Sequence, residues 1–600
     1  MKASLKVFLL FKVLLFSFTA IGIAGPALAQ SNTATSSTPA LQYAKQGWTV
    51  DDRQAFYTTS QGSHMIPYLW FKALRRLDVD EPFGGDQLAR YGYLSNDKSK
   101  LNPEGLPVGF AIDGDVSTGF FGMTCAACHT AQIAYQKDGA TQQLRIDGAP
   151  ATADFQAFLK DLTDATRETL NNADRFDKFA RAVLGNRYSA TRADDLKMDF
   201  AAWVKLWGSF MDKSLPASPW GPGRLDAFGM IFNRVAAKDL GIDANFQIAD
   251  APVSYPFLWN ASRQDKTQWN GDVPNGLFIN ALGRNSGEVF GVFAEFTPKK
   301  QLLPPFFNFS KSSVKFSNLQ QLEEKIAVLK PPPWPWPSDL KQDLLDKGRI
   351  IYAKECGSCH EEKRLPEGTW FTPVQAVGTD PKMFDNALRS SQSGVLAGAL
   401  SPNPPGSTLS NPAATNDVLA TAVVGALFDD AFPPLPRLPD FKKSGVWQAI
   451  RKDFADTLPN LQDASFLEAL RDRSKIEDVK SHVRDRLANL FKVPGEPHSY
   501  EARVLHGVWA TAPYLHNGSV PNLWELLTPP AQRKPFFMVG SKKYDPVNVG
   551  YVTDESPFKD GKLVVSGSDV QPGNSNIGHD FGTKLSDDEK WQLIEYLKQL

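Results

Sequence analysis

All four cysteines of the chain fall in two copies of one pentapeptide, Cys125-Ala126-Ala127-Cys128-His129 and Cys356-Gly357-Ser358-Cys359-His360. Two thiols at this spacing, followed at once by an imidazole, suit covalent haem attachment. Each thiol adds across a vinyl group of the macrocycle and the histidine binds the iron. A zinc site built from paired Cys-x-x-Cys elements has no use for a histidine directly after each pair. The repeat therefore predicts two covalently bound haem c groups, attached through Cys125, Cys128, Cys356 and Cys359, with His129 and His360 as iron ligands. Every thiol is then committed, so a structural disulfide is excluded and stability must come from packed cores.

What faces the other side of each iron decides whether it transfers electrons or reacts. The chain has eight histidines. Those outside the motifs are His64, His482, His498, His506, His516 and His579; five follow the second motif and none lies between His129 and His360. The second haem thus has several candidates for a strong sixth ligand, the six-coordinate state suited to electron transfer. His579, in a Gly- and Asn-rich loop before the last helix, leads among them, with His516 and Met538 as alternatives. His482 sits in a charged stretch and reads as solvated. The first haem has only His64, a methionine (Met123, Met198, Met211 or Met230), or nothing. A missing ligand leaves an iron open to peroxide or dioxygen.

Chemistry at an open iron needs proton transfer and charge stabilisation. Glu288 is the candidate acid/base, because a carboxyl in an apolar pocket holds its proton near neutral pH. Arg284, one helical turn earlier, is the candidate for stabilising negative charge on a bound oxygen species; the competing reading of the two is a helix-end charge pair. Trp259 and Trp269 can line such a pocket or relay electrons, against the commoner fate of core packing.

Several features set the context for these residues. Lys2, Lys6 and Lys12, the apolar run from Val13 to Ala24 and Ala27-Leu28-Ala29 read as a signal peptide over 1–29. Export to a periplasmic or extracellular space follows, with no stable membrane insertion once the signal is cleaved. A disordered leader is expected over 30–45. Pro331-Pro332-Pro333-Trp334-Pro335-Trp336-Pro337 reads as a stiff linker over 331–337, the alternative being a Pro-rich loop inside one domain. It divides an N-terminal haem domain, 46–330, from a C-terminal cytochrome c domain, 338–600. Helices are predicted over Ala153–Leu162, Leu319–Leu329, from Gly348 into the second motif, and after the Ser586-Asp587-Asp588-Glu589 capping box. The expected fold class is mainly α, with two cytochrome c-like haem domains, long loops and insertions. Formal charge is −1, which gives no basis for a nucleic-acid partner.

Taken together, Gly122-Met123-Thr124 with the first motif, Gly348 to His360, Thr511-Ala512-Pro513-Tyr514-Leu515-His516-Asn517-Gly518-Ser519, and Gly578-His579 before the terminal helix resemble the bacterial di-haem cytochrome c peroxidase superfamily. Within it they are most similar to the di-haem rubber oxygenase-like branch. The resemblance implies an active N-terminal haem and an electron-transfer C-terminal haem with two histidine ligands, which favours His579 over Met538. It also implies a Ca2+ ion held partly by carbonyls near Thr511 and Pro513. One departure stands out: the typical peroxidases carry a displaceable histidine shortly after the first motif, where this chain reads Gln142-Gln143-Leu144-Arg145-Ile146-Asp147-Gly148. The expected activity is that of a haem oxidoreductase acting on peroxide or dioxygen. A small cytochrome or cupredoxin would supply electrons to a peroxidase, and an apolar alkene would be the substrate of an oxygenase. The alternative from another class is a non-catalytic di-haem electron carrier.

Overall fold

The first haem motif is strung between two strands of different sheets. Strand β1 (Leu41–Tyr43) is followed by helix α1 (Val50–Thr58), which Thr49 and Asp52 close with a capping box. Strands β2 (Ile66–Pro67), β3 (Phe110–Asp113) and β4 (Phe120–Met123) form an antiparallel sheet in the order β2-β4-β3. After β4 the chain makes a single tight turn over Cys125–Ala127 and enters β5 (Thr130–Lys137), which pairs antiparallel with β6 (Ala140–Asp147). The alternating Leu144-Arg145-Ile146 pattern and the Asp138-Gly139 step between the strands are the ordinary signals of a hairpin; Gly139 takes a φ of +76°.

The computed structural model describes residues 41–137, 139–264, 266–275, 278–299, 310–361, 363–364, 370–371, 374–375, 377–401, 407–431, 445 and 500–600. The expected signal peptide, most of the leader, His482 and His498 lie outside the described residues. The leader was expected to run to residue 45, but Leu41–Tyr43 pairs in parallel with Gln143–Arg145. Gln46 then fastens the segment, exchanging hydrogen bonds of 2.8 and 2.9 Å with the Asp147 backbone. Asp147 itself is buried, ion-paired to Arg53 at 2.8 Å and bonded to the Tyr57 hydroxyl at 2.5 Å. Residues 142–147 thus belong to the inner strand of a sheet.

Helices α2 (Tyr68–Ala73), α3 (Phe155–Asn171), α4 (Ala173–Leu184) and α5 (Ala190–Ser214) pack beside these sheets. Helix α3 buries Phe155, Phe158, Leu159 and Leu162, the spacing of one helical face, and Asp154 caps it through the Ala157 amide at 2.9 Å. Helices α6 (Ala227–Phe232), α7 (Phe278–Gly291), α8 (Phe316–Ile326) and α9 (Gln342–Glu355) follow. The C-terminal helix Asp587–Gln599 starts at the expected capping box and packs on α9.

Two expectations change. The structure has 42% helix and 16% strand spread over many small sheets, so the fold is mixed α/β and not mainly α. The sequence reading followed helical periodicity around the second motif and passed over the hairpin beside the first. The Pro-rich segment 331–337 is also no free-standing connector. Trp334 and Trp336 are buried, Trp334 stands edge-on to Trp509 at 5.5 Å, and the Trp509 indole donates to the Pro332 carbonyl at 2.9 Å. One apolar core contains Ala126 of the first motif and Tyr352, Leu593 and Leu597 beside the second, and Ala40–Leu600 forms one compact unit.

The α9 crossing depends on Gly348, where an added Cβ would lie 2.0 Å from the Gln592 carbonyl. We expect Gly348→Ala to destabilise the haem-loaded protein by about 1–3 kcal/mol through overpacking, read as a lower denaturant midpoint at unchanged slope.

Candidate functional site

The second motif opens into a cavity of about 1300 Å³ lined by Cys356, Cys359, His360 and His579. Helix α9 delivers Cys356 at its C-terminal end, and the next turn, Gly357–His360, carries the other two groups. The apolar floor comes from Leu593 and Leu597 of the C-terminal helix and from Leu523, Leu526 and Leu527. His360 Nδ1 is held by the Arg503 carbonyl at 2.6 Å, which leaves Nε2 as the metal-binding nitrogen. The His579 ring faces His360 with centroids 6.4 Å apart. Two imidazoles that sandwich one metal ion at bond lengths of about 2.0–2.1 Å have ring centres roughly 6.3 Å apart, so this pair fits the axial positions of one haem. Burial pushes His579 down to about 3, helped by His360 alongside, and burial also lowers His360. Both rings are therefore neutral, the form that ligates metal.

His579 reaches this position through an unusual backbone. It sits at φ +51° directly after Gly578 at φ +73°. A Cβ on Gly578 would lie 2.3 Å from Gly378 backbone atoms, so only glycine allows the approach. The His579 amide donates to the Val377 carbonyl at 3.0 Å. The Arg533 guanidinium clamps the loop from inside, donating to the carbonyls of Asn576 (2.7 Å), Gly578 (3.0 Å) and His579 (3.1 Å).

The first motif borders a smaller cavity of about 480 Å³ lined by Cys125, His129, Gln268, Arg284 and Glu288. Gln268, Arg284 and Glu288 also border an adjoining chamber of about 720 Å³, whose other walls include Phe228, Ile231, Leu419 and Val423. Burial pushes His129 down to about 4, so it too is neutral. The Pro256 backbone works against this shift, while Nδ1 itself is buried with no partner at hydrogen-bond geometry, unlike Nδ1 of His360.

Helix α7 brings Glu288 and Arg284 to this cavity together. Glu288 is half-buried and faces the cavity; loss of water around its carboxyl raises its pKa, and its Oε1 accepts a 2.9 Å bond from Gln268 Nε2. Gln268 adopts φ +67°, a conformation rare for a side-chain-bearing residue and a mark of functional sites. Arg284 is committed differently from its expected role. Its guanidinium forms a buried ion pair with Glu323 of α8 at 2.5 Å and donates to Asn275 at 3.2 Å. It supplies a fixed positive field beside Glu288 and does not present an open fork.

Trp269 lies against the second cavity, with its indole donating to the Ser254 carbonyl at 2.8 Å. Trp259 is fully buried and stacked on Phe257 at 4.9 Å, the core-packing outcome. His516 lines the second cavity but is stacked on Tyr500 at 3.9 Å, and Met538 sits in a short strand away from that lining. His64 is engaged by Asp113 at 2.7 Å and stacked on Phe120. Met123, Met211 and Met230 lie in the core that contains Ala127 and packs on Cys128, outside the cavity lining, and Met198 is exposed. Among the described residues, then, none of these candidate sixth ligands lines the first cavity. Thr511 and Pro513 border the second cavity, and among the described residues there is no group of three or more His, Cys, Asp or Glu side chains able to hold a metal ion.

Sequence reasoning missed Glu323 and Arg503, and it took Tyr255, Phe257 and Gln268 only as part of the segment around Trp259 and Trp269, with no role of their own. Tyr255 stands edge-on to His129 at 6.1 Å and also lines the second cavity. Phe257 and Arg503 line both cavities. Each lies far in sequence from what it contacts, so no local pattern announces it.

The class that these features define is a c-type haem protein, and comparison with known proteins supports it. A family model described as RoxA-like, cytochrome c-like matches residues 499–538, the segment that supplies Arg503 and much of the second cavity wall. The chain is 30% identical to the uncharacterized protein y4iJ of Sinorhizobium fredii over 93% of both chains, and it belongs to the same family. A second protein of that organism, y4iM, is 40% identical over 119 residues, 16% of this chain and 27% of its own.

Replacing Cys125 and Cys128, or Cys356 and Cys359, with serine should leave one covalent haem in each case, counted by the pyridine haemochrome assay. His579→Ala should convert the second haem from low-spin to high-spin without loss of attachment, seen by low-temperature electron paramagnetic resonance. Gly578→Ala should shift it the same way, because the loop cannot keep its approach to Gly378.

Proposed function

We propose that this chain is an exported di-haem oxidoreductase of the cytochrome c peroxidase superfamily, nearest in kind to its rubber oxygenase-like branch. Its reactive centre is at Cys125–His129 and its electron-transfer centre at Cys356–His360 with His579. Haem c bound at both motifs supplies an iron that takes up peroxide or dioxygen at the first and one that exchanges electrons at the second. The observation that carries the reading is an asymmetry. A histidine stands opposite His360 at ligand spacing, whereas a carboxyl and an amide, Glu288 and Gln268, look into the cavity of His129.

The side chains divide the remaining work. Burial keeps Glu288 protonated to a higher pH than an exposed glutamate. Gln268 occupies Oε1 and orients the carboxyl so that Oε2 can carry the proton. Arg284, neutralised by Glu323, holds that helix face and limits how far the Glu288 pKa climbs. Phe257 and the Arg503 backbone and side chain separate the two centres while touching both.

A small cytochrome or cupredoxin is the proposed electron donor if peroxide is the oxidant. The apolar chamber behind Glu288 favours the second reading, a dioxygenase acting on an apolar alkene, because peroxide alone needs no such space. Among the described residues no helix is long and apolar enough to cross a membrane; a periplasmic or secreted location is part of the proposal. So is the carbonyl-bound Ca2+ near Thr511.

The test is a spectrum followed by two assays. One five-coordinate, high-spin haem that binds cyanide is expected beside one inert low-spin haem; two inert low-spin haems would leave the electron-carrier alternative. Peroxide-dependent oxidation of a reduced cytochrome and oxygen uptake with polyisoprene then separate the two enzyme readings. Glu288→Gln should lower turnover by about 100-fold or more at full haem content. In the wild type, activity that needs the protonated carboxyl is present at low pH and lost as pH rises through the raised Glu288 pKa. Steady-state rates across pH should show that limb flattened in the variant.

A further inference from the structure

Arg503 is buried, only 5% exposed, and its side chain borders both cavities. Its Nη2 donates to the Phe257 carbonyl at 2.8 Å. The guanidinium carbon stands 4.1 Å from the centre of the Phe257 ring and 5.9 Å from that of Trp269. Its buried Nε has no hydrogen-bond partner. A carbonyl and two π faces do not balance a full positive charge removed from water. Glu501 attracts the guanidinium and Arg284 repels it, yet among the described residues no carboxylate reaches ion-pair distance of Arg503. The group is short of an anion, and its open Nε–H sits on the wall between two haem sites. The backbone of the same residue accepts the hydrogen bond that orients His360.

We infer that Arg503 pairs with a haem propionate at the wall shared by the two cavities, so that it positions a haem edge through its side chain while positioning His360 through its carbonyl. Haem c keeps two carboxylates after its vinyl groups have reacted, and a planar guanidinium is the donor best matched to a carboxylate. Either haem can supply the carboxylate. The pairing makes Arg503 a positioning residue whose charge holds up the potential of the haem it serves, because an unneutralised propionate favours the ferric state.

The inference rests on haem c at both motifs, which a haem count on the wild-type protein checks separately. The decisive experiment is a spectroelectrochemical titration of the haem-loaded protein. In Arg503→Gln one of the two midpoint potentials should fall while Arg503→Lys keeps it near the wild-type value; the haem that moves owns the propionate. Unchanged potentials in Arg503→Gln, or equal shifts of both haems in both variants, would overturn the pairing. Should Arg503→Gln fail to retain both haems, an experimental structure of the loaded wild-type protein decides. A propionate oxygen within hydrogen-bond distance of the guanidinium supports the assignment, and an Arg503 turned onto Glu501 or solvent sinks it.

Discussion

The hydrogen bond from His360 Nδ1 to the Arg503 carbonyl, 2.6 Å long, is the constraint on which the candidate site depends. An imidazole offers a metal only one of its nitrogens when the other is held. The bond therefore sets which atom points into the large cavity and at what angle His579 must approach. It also ties the C-terminal end of α9, which carries the second motif, to residues 500–503, some of which continue into the wall toward the first motif. With one bond, the ligand geometry of the second centre and the partition between the two centres become a single structural problem.

The two motifs are identical in local chemistry and differ in what surrounds them. Around the second, a glycine-permitted turn and the Arg533 clamp carry a histidine to ligand spacing. Around the first, the strands on either side of the motif hold it between two sheets, and α7 presents Glu288 and Arg284 instead of a ligand. Buried charges there are arranged in pairs: Arg284 with Glu323, Arg53 with Asp147. Such pairs contribute little net stability but cost several kcal/mol to break, so they fix the position of the groups attached to them. Glu288 is the exception. Its carboxyl has an amide partner in Gln268 and, among the described residues, no ion-pair partner, which is the setting of a group that exchanges a proton.

Much of the site chemistry was legible in the chain because it is local. A pentapeptide holds its two thiols and histidine together whatever the fold, and the capping box before the last helix states where that helix begins. The Glu288 and Arg284 pair was also legible, since one helix turn links the two residues, yet the partner of Arg284 was not. Glu323 lies on another helix, and which carboxylate a buried guanidinium meets is decided by helix packing. The hairpin next to the first motif was written in its alternation and its Asp-Gly step, but it was read through the expectation of a helical cytochrome, and the fold class was misjudged for that reason. The Pro-rich segment shows the opposite limit. Its composition dictates an extended backbone, while its burial depends on Trp509 and the sheets waiting to receive Trp334 and Trp336.

By itself, then, the amino-acid sequence determined where two Cys-x-x-Cys-His pentapeptides stand, and so which thiols and histidines are grouped for the proposed haem attachment, because those residues lie within five positions of one another. The tertiary structure alone decided that His579 and not His516 faces His360, that none of the candidate methionines lines the first cavity, and that Phe257 and Arg503 stand between the centres. Each of these contacts joins residues from distant parts of the chain. Their separation in space is set by packing and backbone conformation, neither of which a motif carries.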